Sequence, residues 1–153
     1  MGLDHFITDR HGVTYRVESD MGIGWTLYVW HGDMAVGELL CSFARPTLNL
    51  GNLQIYHNVR VPETWFALRF REFRHYPAPV IDYRKRGLGT ALLELIEALA
   101  RSEGFTRLEG WISGVDYKPN PGLPDWYRAR GYTVTMEPGE EVAVKVATIH
   151  KSL

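Results

Sequence analysis

Arg84, Lys85 and Arg86 stand directly before Gly87, Leu88, Gly89 and Thr90, with the apolar pair Val80 and Ile81 and the carboxylate Asp82 just upstream. That grouping can hold a phosphate. Glycines at 87 and 89 carry no Cβ, so backbone amides from Arg86 to Thr90 can converge on one anion and approach it closely. A helix starting there adds roughly half a positive charge at its N-terminus, and the three basic side chains add full ones. Two better-known phosphate motifs fail on spacing. The segment lacks the Gly-Lys-Ser/Thr ending of a triphosphate loop, and it lacks the three glycines and downstream acid of a dinucleotide fingerprint. Metal chemistry is not expected, because the histidines at 5, 11, 31, 57, 75 and 150 have no ligand-like spacing. The single cysteine, Cys41, excludes an internal disulfide, and in a strand it reads as a buried, inert thiol.

A strand must deliver this grouping and a helix must carry the chain away from it. Leu88, Ala91, Leu92, Leu95 and Leu99 recur at three- and four-residue spacing, which predicts an amphipathic helix over 88–103 stopped by Gly104. Upstream, Pro77 and Pro79 place the approaching strand at an edge or bulge. Downstream, residues 107–112 read as a strand, 120–130 as a short helix, and 132–136 with 142–149 as a closing strand pair around Pro138-Gly139. Asn120 suits the cap of the short helix with Pro121 at its first position, whereas a helix starting at Pro124 leaves Asn120 in a loop.

The first eighty residues read mostly as strands and turns. Residues 13–18 and 25–30 are rich in β-branched and aromatic types, and a turn at His31-Gly32-Asp33 leads into an extended pattern over 34–43. Residues 45–58, with Pro46 and Gly51, read as a long loop or irregular excursion. Between Glu63 and Arg74, Phe66, Leu68 and Phe70 alternate as in a strand, while Phe66, Phe70 and Phe73 also fit a helical stripe; aromatic density favours the strand. Glu72 then shares its apolar face, where it is either paired with Arg69, Arg71 or Arg74 or raised in pKa.

Length and composition set the frame. At 153 residues and 45% hydrophobic content, the chain reads as one domain over 1–153 with one core. A net charge of −1 offers no general attraction to nucleic acid or anionic membrane, so neither is an expected partner. Without a signal-like apolar run or an eighteen-residue apolar span, a cytoplasmic location is expected. Trp65, Trp111 and Trp126 read as core aromatics. The basic group Arg69, Arg71, Arg74, Arg84, Lys85 and Arg86 is interleaved with aromatics, the one feature that suits RNA.

Arg84-x-x-Gly87-x-Gly89 resembles the acetyl-CoA pyrophosphate loop of the GNAT superfamily of N-acetyltransferases, where Gln or Arg, then Gly, then Gly or Ala take these positions. Asn120, Leu123, Trp126, Tyr127, Gly131 and Tyr132 are similar to that family's Asn-x-x-Ala-x-x-Phe-Tyr-x-x-x-Gly-Phe segment at the same spacing, with three identities and three conservative departures. The resemblance spans residues 80–146. It implies an α/β (α+β) fold: a mixed, mostly antiparallel central sheet, a helix after the phosphate loop and a short second helix. Residues 1–79 would then be a strand-rich acceptor side and 80–153 the acetyl-CoA-binding half.

The implied reaction is direct attack of an amine on acetyl-CoA, the co-substrate. The resemblance assigns the pyrophosphate to the amides of Arg86 to Thr90, with Arg84 and Lys85 near the phosphates. It assigns the thioester carbonyl to backbone amides of Val80 to Asp82, the pantetheine arm to Asn120, and the departing thiolate to Tyr127 as acid. Deprotonating the amine needs a base, because ordinary amines have pKa near 10.4. Glu72 is the first candidate, with Glu38, His75 and Asp82 behind it. A small-molecule amine is the first expectation for the acceptor, then protein amines, then aminoacyl-tRNA. The reading from another class is a non-catalytic acyl-CoA sensor, against which Tyr127 and Asn120 argue.

Overall fold

The structure, a computed structural model, describes residues 3–138 and 145–153. Among the described residues, ten strands and four helices follow in the order β1(Leu3–Thr8), β2(Thr14–Met21), β3(Trp25–His31), β4(Met34–Ala44), β5(Thr47–Ile55), β6(Val59–Arg60), α1(Trp65–Arg74), β7(Val80–Ile81), α2(Leu88–Ser102), β8(Arg107–Ser113), α3(Gly114–Tyr117), α4(Leu123–Arg128), β9(Thr133–Met136) and β10(Lys145–Ser152). Eight strands hydrogen-bond in the order β1-β2-β3-β4-β5-β8-β10-β9, and β6 with β7 forms a separate ribbon. The registers of β1 with β2, β8 with β10 and β9 with β10 are antiparallel, and β5 runs parallel to β8. This is the mixed, mostly antiparallel sheet the sequence implied. The described residues form two compact units: residues up to Met21 with Thr26–Leu39 and Leu53–Leu93, and Gly22–Trp25 with Leu40–Asn52 and Glu94 onward.

In the first unit, β1 and β2 pair from Leu3↔Ser19 to Thr8↔Thr14. Asp9 closes their turn, its carboxylate accepting the amides of His11 at 2.8 Å and Val13 at 3.0 Å. The His31-Gly32-Asp33 turn forms as expected, with Gly32 at φ 60°. Alternation along β2 and β3 buries Tyr15, Val17, Leu27 and Val29.

The chain then makes a detour. After β5 it leaves at Tyr56 and returns at Tyr83, whose amide donates to the Tyr56 carbonyl at 3.0 Å. Residues 57–82 between them hold β6, α1 and β7. Two expectations are corrected here. Residues 45–58 are not mainly loop, because β5 occupies Thr47–Ile55 and pairs with β8 from Thr47↔Arg107 to Leu50↔Gly110. Gly51, which suggested a loop, sits in the strand where a Cβ would come within 3.1 Å of the Leu40 carbonyl. Residues 63–74 are not a strand but helix α1. The Thr64 hydroxyl caps it by accepting the Ala67 amide at 3.2 Å, and His75 ends it at φ 56°. Local capping overrode aromatic propensity. No residue of α1 is buried, and Trp65, Phe66, Phe70 and Phe73 stand exposed on it.

Helix α2 runs from Leu88 to Ser102 and ends before Gly104, at φ 81°, as predicted. Its buried apolar positions are Leu88, Leu92, Leu93, Ile96 and Ala100, with Leu95 and Leu99 only half-buried, so the stripe is turned from the one read in sequence. In the second unit, β10 pairs with β9 from Ala147↔Met136 to His150↔Thr133. That is the expected closing pair; Gly139 to Val144, which the expected turn and strand start include, lie outside the described residues. Trp25 meets Phe105 edge-on and Phe43 lies tilted against it, with the Arg45 guanidinium 4.7 Å from the Phe105 ring. Trp65 and Trp111 are exposed, contrary to a core role, because α1 packs no face and Trp111 points outward from β8. Among the described residues no helix is long and apolar enough to cross a membrane.

Candidate functional site

In the first unit, the basic turn is built around Tyr83, which is fully buried. Lys85 at φ 59° and Gly87 at φ 89° both take the left-handed conformation, folding the segment tightly before α2. At Gly87 that is the glycine's role, since a side chain there would be strained. The first helical bond runs from the Ala91 amide to the Gly87 carbonyl at 3.0 Å. The amides of Leu88 and Gly89 therefore lie in the first turn, where a helix supplies no acceptor of its own. The turn has the backbone features expected from sequence: left-handed residues, a helix N-terminus and first-turn amides.

The side chains around it are less available than the sequence suggested. Arg84 is bidentate to Asp82, Nε to Oδ1 at 3.0 Å and Nη2 to Oδ2 at 2.7 Å, and its own amide also donates to Oδ1 at 2.9 Å. Those hydrogen bonds from Arg84 hold the Asp82 carboxyl down to about 2. The Arg86 guanidinium lies 4.7 Å over the Tyr83 ring, and the Arg86 carbonyl accepts the Arg10 amide at 2.9 Å. Behind the turn, the Tyr83 hydroxyl meets His31 Nδ1 at 2.7 Å, and the Tyr15 hydroxyl donates to Asp9 at 2.9 Å. The Tyr15 ring packs 5.1 Å from His31 and 6.1 Å from Tyr83. Desolvation raises the Asp9 carboxyl, but the Val13 amide, the Tyr15 hydroxyl and the His11 amide together hold it below its ordinary value. Sequence reasoning missed this network. Its one local signal was Asp9 ahead of His11-Gly12-Val13, the pattern of a side-chain-closed turn.

Val80 and Ile81 pair with Arg60 and Val59 in the small ribbon, outside the eight-stranded sheet, where the prolines at 77 and 79 had implied an edge or a bulge. Beside it the same unit holds a cavity of about 380 Å³ lined by Ala35, Gln54, Tyr56, His57, Asn58, Val59 and Arg60. Glu38 hydrogen-bonds the Tyr56 phenol; burial first, then the charge of that carboxylate, pushes the phenol's pKa up. Glu72 is not on an apolar strand face. On α1 it is half-exposed and pairs with Arg69 at 3.4 Å, so the ground for choosing it as base falls with the strand. Of the basic group that suggested RNA, Arg69, Arg71 and Arg84 are held by Glu72, Glu63 and Asp82.

In the second unit, Tyr127 on α4 is 9% exposed, its ring edge-on to Trp126 at 4.8 Å and Tyr132 at 5.5 Å. Burial, with the Asp116 charge second, pushes its phenol up to about 12. Asn120 does not cap α4, because Gly122 holds that position, with Leu123 and Pro124 opening the helix. Asn120 instead closes the preceding turn, its amide donating to Tyr117 and its carbonyl accepting from Leu123, each at 3.1 Å. Cys41 is buried and desolvation pushes its thiol up to about 12, so it is inert as expected.

The fold is that of solved N-acetyltransferases. The IAA acetyltransferase from Bacillus cereus matches with a TM-score of 0.56 at 14% identity, over 86% of this chain and 79% of that one. A GNAT family acetyltransferase from Elizabethkingia anophelis with acetyl-CoA bound gives 0.55 at 13% identity, over 86% and 77%. The PaiA N-acetyltransferase from Thermoplasma acidophilum, in complex with coenzyme A, gives 0.54 at 12% identity, over 84% of this chain and 60% of that one. No curated protein matched the sequence. Residues 82–132, from the basic turn through α4, match the model of the Acetyltransferase (GNAT) family.

Proposed function

We propose that the protein is an N-acetyltransferase that moves an acetyl group from acetyl-CoA to an amine by direct attack. The observation that carries this reading is the donor turn: left-handed Lys85 and Gly87 feeding α2, with first-turn amides at Leu88 and Gly89. A turn of this kind suits a pyrophosphate, and acetyl-CoA or CoA sits in three of the matched structures, which supports the reading. As co-substrate, acetyl-CoA supplies the activated acyl carbon. Leu88, Gly89 and the α2 N-terminus would hold its pyrophosphate, with Lys85 adding charge and Arg86 fixed on the Tyr83 ring.

Tyr127 is the proposed acid. With its phenol at about 12 it keeps its proton throughout the working pH range. Complete transfer to a thiolate near 8.5 in water would be uphill by about 5 kcal/mol, so the phenol acts chiefly as a hydrogen-bond donor to charge developing on sulfur. Tyr127→Phe should therefore lower kcat by about 100-fold, the small end of general-acid effects, with acetyl-CoA affinity kept. The cradle is tested by thermal melts. Acetyl-CoA at 100 times its Kd should add about 2.7 kcal/mol of stability, and Gly89→Asp should abolish the shift. No shift in the parent protein, with no heat in calorimetry, would remove the donor assignment. Binding without turnover over a broad amine panel would make the chain an acyl-CoA sensor instead.

A further inference from the structure

The cavity at the end of β5 is unusual in its charges. Arg60, on its lining, is exposed and makes no ion pair among the described residues. Tyr56, also on the lining, is hydrogen-bonded to the carboxylate of Glu38. A guanidinium thus stands on the lining, a carboxylate is hydrogen-bonded to a phenol of the same lining, and Gln54 and Asn58 add two side-chain amides to it. The cavity also touches the donor turn through one bond, because the Tyr56 carbonyl accepts the amide of Tyr83, the residue before Arg84.

Resting on the donor reading above, we propose that this cavity is the acceptor site and that its ligand is an amine that also carries a carboxylate, of amino-acid size. Arg60 engages the carboxylate as a guanidinium fork does. The Glu38–Tyr56 pair faces the ammonium, which is the charge a carboxylate-bound phenol favours. A volume of about 380 Å³ suits a free amino acid better than a folded or extended polypeptide. The amines that lack a carboxylate leave Arg60 unmatched and gain only half of the recognition.

Calorimetric titration of individual amino acids, each alongside its decarboxylated amine, into the full-length chain without donor tests the site directly. At least one amino acid should bind tenfold or more tightly than its decarboxylated partner. Arg60→Gln should erase that difference and leave the amine's affinity unchanged, and Arg60→Lys should restore part of it. Glu38→Gln should weaken both ligands. Equal affinity for the paired ligands, an unchanged preference in Arg60→Gln, or no binding across the amino acids would overturn the proposal. Acetyl-CoA titrated into the same variants separates the two readings: its loss in the parent protein sinks the donor turn, while the amino-acid result still decides the cavity.

Discussion

Asp9 and Glu97 are both buried carboxylates reached by a tyrosine hydroxyl, one in each compact unit, yet they are satisfied in opposite ways. Glu97 is neutralised by charge: Lys151 donates to it at 2.8 Å, Tyr132 at 2.9 Å, and Arg101 stands at 3.7 Å. Asp9 meets only neutral donors, two amides of its own turn and the Tyr15 hydroxyl. The first arrangement joins α2, the turn after α4 and β10, segments far apart in sequence. The second is local at one end and opens at the other, through the tilted and edge-on rings of Tyr15, His31 and Tyr83, onto the basic turn. Charge spent inside the second unit holds the fold; polarity in the first unit ends where a ligand would bind.

That contrast predicts the largest effect at Glu97. Glu97→Ala strands the Lys151 ammonium and the Tyr132 hydroxyl, and should cost about 3–5 kcal/mol in denaturant unfolding. Glu97→Gln, which keeps the bond to Tyr132, should cost less. An Ala variant within about 1 kcal/mol of the parent would show that the network is decoration and that packing alone joins these elements.

Asp9→Ala should cost less, about 1–3 kcal/mol, for the amides of His11 and Val13 and the Tyr15 hydroxyl that lose their acceptor. Its sharper readout is donor binding, because the same network backs Tyr83 and Arg86. Acetyl-CoA affinity should fall in Asp9→Ala and stay intact in Glu97→Gln. A fall in both, or in neither, would remove the functional half of the comparison.

Within each unit, some segments were announced by the sequence and others were not. The donor turn and α2 were legible because glycine, basic residues and a helical apolar period all act within a few residues. The closing strands β9 and β10 were legible by alternation. The detour was not: whether residues 63–74 form strand or helix was decided by the Thr64 cap and by His75 at positive φ, both weak local signals beside three phenylalanines. Strand β5 was hidden by Asn49, Gly51 and Asn52, whose fit depends on the Leu40 carbonyl and on β8, nearly sixty residues away. The cavity was invisible for the same reason. Tyr56 and Glu38 come together only once β4, β5 and the return at Tyr83 are in place.

The smallest effect belongs to the third carboxylate, Asp82, which pairs with Arg84 on the surface of the donor turn itself. Its folded-state pKa lies below its unfolded value, so the pair stabilises above about pH 3.9 and that contribution fades as pH falls through about 2. For so exposed a pair the change in overall stability should be slight, and the titration is the informative measurement. Carbon-detected NMR of the Asp82 carboxyl should place its midpoint near 2 in the free protein, and Arg84→Gln should move it up toward the ordinary range. Acetyl-CoA makes the experiment discriminating. If Arg84 leaves Asp82 for the pyrophosphate, the midpoint rises on binding; if the midpoint stays near 2, Arg84 shapes the turn and the backbone amides of Leu88 and Gly89 carry the phosphate alone.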